Sequence, residues 1–209
     1  MLAGFIPPSK EAVWSNKTSW PETVLSKIWQ PIAVETVEES RSWKLNPDAI
    51  CPAASKIEKD METKVPELKK FLEENHEFIK SVGNYSGEDF FGDLNWLWVG
   101  YLFDTEFTQK EYFEDRYLPP SWLSKIGNDT MERLSKFNDM VFSIYEKAPD
   151  FLKLRCGTFL KEVIDNMQNE VKLMQNTAAN KKLFTYGSHD TMIAYILHSL
   201  GMFKGKLLS

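Results

Sequence analysis

Residues 183–203 constrain the fold of this chain more than any other stretch: Leu183-Phe-Thr-Tyr186-Gly-Ser188-His189-Asp190-Thr-Met-Ile193-Ala-Tyr-Ile196-Leu197-His198-Ser-Leu200-Gly201-Met-Phe203. They read as a short strand, a tight turn and an amphipathic helix. Leu183, Phe184 and Tyr186 suit a strand with one buried side. Gly187 permits an unusual backbone at the strand's end. Asp190 is the expected N-cap of a helix beginning near Thr191. Ile193, Ile196, Leu197 and Leu200 recur at helical spacing as its expected buried face, with His198 on the other side, and Gly201 is its expected stop.

That order of elements carries chemistry. Ligands of α/β sheets bind beyond the carboxyl ends of strands. The N-terminus of the next helix offers unpaired N–H groups and the positive end of its dipole, a natural seat for an anion. His189 and Asp190 fall at this junction. An imidazole there can donate to a phosphate oxygen, and a neighbouring carboxylic acid can protonate a leaving alkoxide. The plainer alternative is a helix cap beside an ordinary histidine.

Upstream, the 31–37 segment reads as a second strand by its β-branched content. Between the two strands the pattern is helical. A helix is expected over 53–64, and another opens at Pro66 with Leu68, Phe71, Leu72, Phe78, Ile79 and Val82 on one face. Asp89–Phe103 is aromatic at near-helical spacing and reads as core. Leu118-Pro-Pro-Ser-Trp122 is a rigid connector. Asp129 and Glu132 suggest a capping box for a helix buried through Leu134, Phe137, Val141, Ile144 and Tyr145. Pro149 closes the following loop, and a helix over about 154–175 carries Leu160, Val163, Ile164, Met167, Val171 and Met174 as core filling.

Composition excludes several classes. Hydrophobic content of 43% with 13% aromatics is that of a folded protein. The net charge of −5, without a basic stripe, argues against nucleic acid and requires any phosphate site to be locally positive. No apolar run is long enough to span a bilayer, and the first residues are too short for a signal peptide. No cofactor or metal is called for. His76 lies among Glu73, Glu74 and Glu77 and reads as solvated, with metal binding the alternative. A metal-dependent His-Asp phosphohydrolase would need more histidines than the three present, and Ser188 lacks a nucleophile elbow. Asn16, Asn84 and Asn128 head N-glycosylation sequons, which also arise by chance. Cys51 and Cys156 can pair or stay free.

The segment Lys181–Thr191, with Ser188-His189-Asp190-Thr191 at its centre, resembles the second signature of the histidine acid phosphatases, a strand reading Tyr-Ser-x-His-Asp-Thr followed by a helix. Further pieces follow in the family's order. Phe5-Ile-Pro-Pro8 resembles its Phe-Pro-Pro turn, and Trp29-Gln-Pro-Ile-Ala-Val-Glu-Thr-Val37 its strand before Cys-Pro, here Cys51-Pro52. Leu118-Pro-Pro-Ser-Trp122 with Asp129-Thr-Met131 is similar to its Leu-Pro-x-Trp … Asp-Thr-Met. The resemblance spans nearly the whole chain and is nearest the prostatic and lysosomal type.

It implies an α/β fold: a partial histidine-phosphatase sheet of the phosphoglycerate-mutase-like kind, with a large helical cap domain. Residues 1–50 and 178–209 would form the partial core and 51–177 the cap, some of whose rings would meet a substrate's organic part. The implied activity is phosphomonoester hydrolysis through a phosphohistidine, with His189 as phosphate contact and Asp190 as proton donor. The implied location is the secretory pathway, extracellular or lysosomal. Cys51 would pair with a cysteine of a C-terminal segment not in this sequence.

One departure outweighs the agreements. The family's first signature, Arg-His-Gly-x-Arg-x-Pro, supplies the nucleophilic histidine and phosphate-binding arginines, and it is absent. The histidines are His76, His189 and His198, and the arginines Arg41, Arg116, Arg133 and Arg155, none in such a setting. The expectation is a family member that starts late and stops early, inactive or nearly so alone. The alternative is a non-catalytic secreted binding or antigenic module, or a truncated gene product. Homodimerisation through exposed sheet edges is left open.

Overall fold

The computed structural model describes residues 34–92, 94–174 and 183–203. The chain divides into two compact units, Met1–Arg41 and Ser42–Ser209. The described part of the first is 34–41, with a 3-10 turn at Glu39–Arg41 and an exposed Arg41–Glu38 ion pair at 3.9 Å.

The second unit is helical: α1 (Pro52–Lys64), α2 (Pro66–Glu74), α3 (His76–Ser86), α4 (Trp96–Phe113), α5 (Ser121–Ile126), α6 (Thr130–Ser143), α7 (Pro149–Met174) and α8 (Asp190–Ser199). Proline opens three of them. Pro52, Pro66 and Pro149 each stand at a helix start, where a missing N–H costs nothing. For Pro149 this corrects the expected loop: α7 begins there, several residues before 154.

The run from Pro66 to Val82 is also not one helix. It breaks at Asn75 (φ −105°, ψ 9°), whose side-chain amide donates to the Phe71 carbonyl at 2.9 Å. Asparagine competes in this way with the helical ladder. Gly87, at φ 84°, ends α3 in the left-handed region.

The expected capping box does not form. The Asp129 side chain makes no cap bond, and Glu132 pairs with Lys136 at 2.8 Å. The buried Thr130 hydroxyl instead contacts the carbonyls of Gly127 at 2.7 Å and Leu123 at 3.1 Å, tying α5 to α6.

The core gathers Ala54 and Met61 from α1, Leu68 from α2, and Phe78, Ile79 and Val82 from α3. Leu134, Phe137 and Val141 of α6 continue into Ile144 and Tyr145, all buried, as their spacing predicts. The closest helix packing is α4 on α6. A Cβ on Gly100 would stand 2.7 Å from Val141 Cγ2 and 3.2 Å from the Asn138 nitrogen, so only glycine fits there. The aromatic run is core only in part. Phe90 and Trp96 are buried, whereas Trp98 is 60% exposed.

The apolar stripe of α7 is a second correction. Leu160 and Val163 are half-buried, Ile164, Met167 and Val171 are 51%, 63% and 57% exposed, and the buried residues of this helix are the earlier Phe151, Leu152, Cys156 and Phe159. α7 packs on α1 and α8, and its 26 residues outrun those partners.

No strand forms among the described residues. Residues 183–189 and 34–38 run without regular pairing, and 31–33 lie outside the described residues, as does the Asn16 sequon. A strand becomes regular only where a neighbour completes its ladder. No described helix is long and apolar enough to cross a membrane.

Candidate active site

The 183–189 segment is held by side chains. The Ser188 hydroxyl donates to the Leu45 carbonyl. The Tyr186 ring meets Phe159 of α7 edge-on at 4.9 Å, and its hydroxyl accepts from Asn166 at 2.9 Å. His189 then precedes α8 with extended backbone (φ −101°, ψ 157°), its carbonyl accepting from the Ile193 N–H at 3.2 Å.

Asp190 opens the helix. Its Oδ1 accepts from the Thr191 N–H at 2.7 Å and the Thr191 hydroxyl at 3.2 Å. This differs from the expected cap: His189 is the N-cap residue, Asp190 is the first residue of the helix, and no side chain makes a cap bond, the Asp190 carboxylate reaching only its immediate neighbour. Both His189 and Asp190 are exposed.

The buried face of α8 differs from expectation. Met192, Ala194, Tyr195 and His198 are buried, Ile196 and Leu197 half-buried, and Ile193 and Leu200 more than half exposed. This helix is apolar all round, so two stripes compete. The winning stripe also satisfies polar tips. His198 Nε2 lies 2.7 Å from the Phe142 carbonyl, which can only accept, so Nε2 carries the hydrogen. His198 is structural, as expected, but on the buried side.

The Tyr195 ring packs on Tyr145 at 4.9 Å and Phe151 at 5.3 Å, while the Tyr145 hydroxyl donates to Glu58 at 2.6 Å. Burial first, then neighbouring charge, pushes the Tyr145 phenol well above the ordinary range. At the other end Gly201 (φ 67°) closes α8 as expected. The Gly201 N–H bonds the His198 carbonyl at 2.9 Å and the Met202 N–H the Leu197 carbonyl at 2.8 Å, the two bonds of a Schellman stop.

The surroundings are acidic. The half-buried Tyr101 phenol of α4 is pushed up by burial, and then by the carboxylates of Asp48, Glu58, Asp190 and Asp104. Two of the arginines are engaged by other groups. Arg155 Nη1 donates to the Ala49 carbonyl at 2.6 Å, and Arg133 lies over the Phe78 ring at 4.0 Å. Among the described residues neither touches His189 or Asp190.

His76 is exposed beside Glu77 at 3.3 Å and against the Phe91 ring at 4.8 Å. Among the described residues no group of three or more His, Cys, Asp or Glu side chains is arranged to hold a metal ion. Cys51 and Cys156 are both free. An open cleft of about 660 Å³ runs along α3 and the following loop, lined by His76, Lys80, Asn84, Glu88 and Phe91, and includes neither His189 nor Asp190.

The anchors of this turn were not visible in the sequence. Glu162 and Asn166 look there like ordinary polar residues of a long helix. Only their i, i+4 spacing on one face hinted at a shared partner.

An exposed histidine and an exposed carboxylic acid thus stand side by side at a helix N-terminus, reached through a short irregular segment. Residues 4–207 match the histidine phosphatase superfamily (branch 2), and the chain belongs to that superfamily. It is 30% identical over 211 residues to a lysosomal acid phosphatase of Bos taurus, covering 98% of this chain and 44% of that protein. It is 27% identical over 213 residues to a prostatic acid phosphatase of Homo sapiens, covering 99% and 49%, and 25% identical over 216 residues to one of Mus musculus, again covering 99% and 49%. The chain thus spans a little under half the length of these curated relatives. No solved structure matches it.

Proposed function

We propose that this chain carries the proton-donor part of an acid phosphatase site acting on phosphate monoesters. The observation that carries the reading is the exposed Ser188-His189-Asp190 turn at the start of α8. In this reading His189 donates to a non-bridging phosphoryl oxygen. A histidine nitrogen attacks phosphorus, the P–O ester bond breaks, and the leaving alkoxide takes its proton from Asp190. Water then attacks the phosphohistidine and releases phosphate. Asp190 must start in its acid form, so the reaction belongs at acidic pH.

The attacking histidine and the arginines that stabilise the transferring phosphoryl group are not among the 209 residues. By itself the chain is therefore inactive or nearly so. The acidic neighbourhood of Tyr101 favours the same conclusion, and favours as second reading a non-catalytic module on the same scaffold. The α/β sheet belongs to this proposal too, as does the division into a core of 1–50 and 178–209 with a cap of 51–177. A place in the secretory pathway is supported by the relative named lysosomal, and by exposed Asn84 and Asn128 within their sequons.

The test is hydrolysis of an aryl phosphate by the purified chain between about pH 4 and 7, beside Asp190→Ala. No turnover from a folded chain is expected. Turnover in the parent that Asp190→Ala abolishes would overturn the inactivity and require another nucleophile.

A further inference from the structure

We infer that Glu162 is a positioning residue for the Ser188-His189-Asp190 turn, a role that rests on reading the turn as the phosphate and proton-donor site. Residues 183–189 have no ladder to fix them. The α8 ladder holds Asp190 and the His189 carbonyl from one side, and the approach to them through 186–188 is tied by side chains.

Both oxygens of Glu162 do so, by separate routes. Oε1 accepts from the Tyr186 hydroxyl at 3.4 Å. That hydroxyl also accepts from Asn166, one turn further along α7, so its donor and acceptor sides are both engaged and its ring cannot turn freely. This grips the segment three residues before His189. Oε2 pairs with Lys44 Nζ. Lys44 adjoins Leu45, whose carbonyl receives the Ser188 hydroxyl, and Ser188 immediately precedes His189. The far end of the same loop is tied to α7 by Arg155 on the Ala49 carbonyl. One carboxylate on a long helix thus braces the turn from both sides.

Magnitude separates positioning from plain stabilisation. The Lys44 and Glu162 side chains are 42% and 33% exposed, and pairs so open to solvent add little to folding stability. Their consequence is local geometry.

The 209-residue chain, isotope-labelled, allows the test. Amide exchange of residues 186–190 and the imidazole nitrogen resonances of His189 are compared in the parent, Glu162→Ala, Glu162→Gln and Tyr186→Phe. Glutamine keeps one acceptor oxygen for Tyr186 and puts an NH2 donor where Lys44 had its carboxylate partner. Phenylalanine keeps the ring on Phe159 and loses only the hydroxyl. Glu162→Ala and Tyr186→Phe should speed exchange in 186–190 by about tenfold, the loss of one hydrogen bond. They should move the His189 signals while leaving α6 exchange unchanged, and Glu162→Gln, which keeps the Tyr186 route alone, should restore part of the protection. Parental exchange and His189 signals in Glu162→Ala, or equal losses in the alanine and glutamine variants, would overturn the role. Titrating the parent with inorganic phosphate judges the site reading separately. A His189 that ignores phosphate sinks that reading, and the exchange comparison still decides whether Glu162 holds the turn.

Discussion

Cys156 shows how burial overrules the chemistry of a residue type. Its thiol is fully buried, with Sγ 3.1 Å from the Ser199 hydroxyl and 3.2 Å from the Leu152 carbonyl, and burial pushes its pKa up. Thiolate is the reactive form. A disulfide-exchange reagent should therefore titrate one thiol per native chain, the half-buried Cys51, and two after denaturation. Rapid native reaction of both would show Cys156 to be accessible. Tyr145 is a second case. Its hydroxyl supplies Glu58 with a buried donor, so Tyr145→Phe should cost about 1–3 kcal/mol in urea unfolding, the penalty of an acceptor left short. A change within about 0.5 kcal/mol would mean that water replaces the phenol without loss.

At the scale of elements, the α4–α6 contact depends on the absence of one side chain. Gly100→Ala gains helix propensity of about 1 kcal/mol but must displace Val141 and press on the α6 backbone. Overpacking of this kind costs about 1–3 kcal/mol, so the net effect should be destabilising, as a lower melting temperature. A more stable variant would mean that the helices part at little cost.

The end of α4 offers a pH test. The Tyr117 hydroxyl donates to the buried Glu106. Burial, with Glu106 as the second cause, pushes the Tyr117 phenol from 10.0 up to about 12. The folded state therefore holds this proton more tightly than the unfolded one. The stability it adds is fully present below pH 10 and is lost as pH rises through about 12. Urea midpoints measured across that window should fall less steeply in Tyr117→Phe than in the parent. Parallel slopes would remove Tyr117 as the cause.

For the whole molecule, two parts of one helix have opposite surroundings. Phe151 is fully buried between Tyr145 and Tyr195, so Phe151→Ala should cost about 3–5 kcal/mol. Met167, 63% exposed, should change stability by no more than about 0.5 kcal/mol when made alanine. Denaturant unfolding of the two variants checks the contrast, and a large loss at Met167 would mean that something covers this face in solution.

Local rules made much of the chain legible. Pro66 at a helix start, the 3.6-residue stripe of α6 and the Gly201 stop depend on steric and hydrogen-bonding facts a few residues long, which a sequence states directly. The helical run over the middle of the chain and the superfamily were legible for the same reason, in short patterns and ordered motifs. What only the tertiary structure decided are choices between competing partners. α8 could bury either of two apolar stripes, and Tyr195 and His198 won because distant Tyr145 and Phe142 accommodate their polar tips. Ile164, Met167 and Val171 of the α7 stripe stayed exposed although their spacing matches that of a buried face. Glu162 became an anchor because folding brought Lys44 and Tyr186 to its two oxygens from opposite directions along the chain. Contacts between residues far apart in sequence leave no periodicity to read, since their energy exists only once the chain has closed on itself.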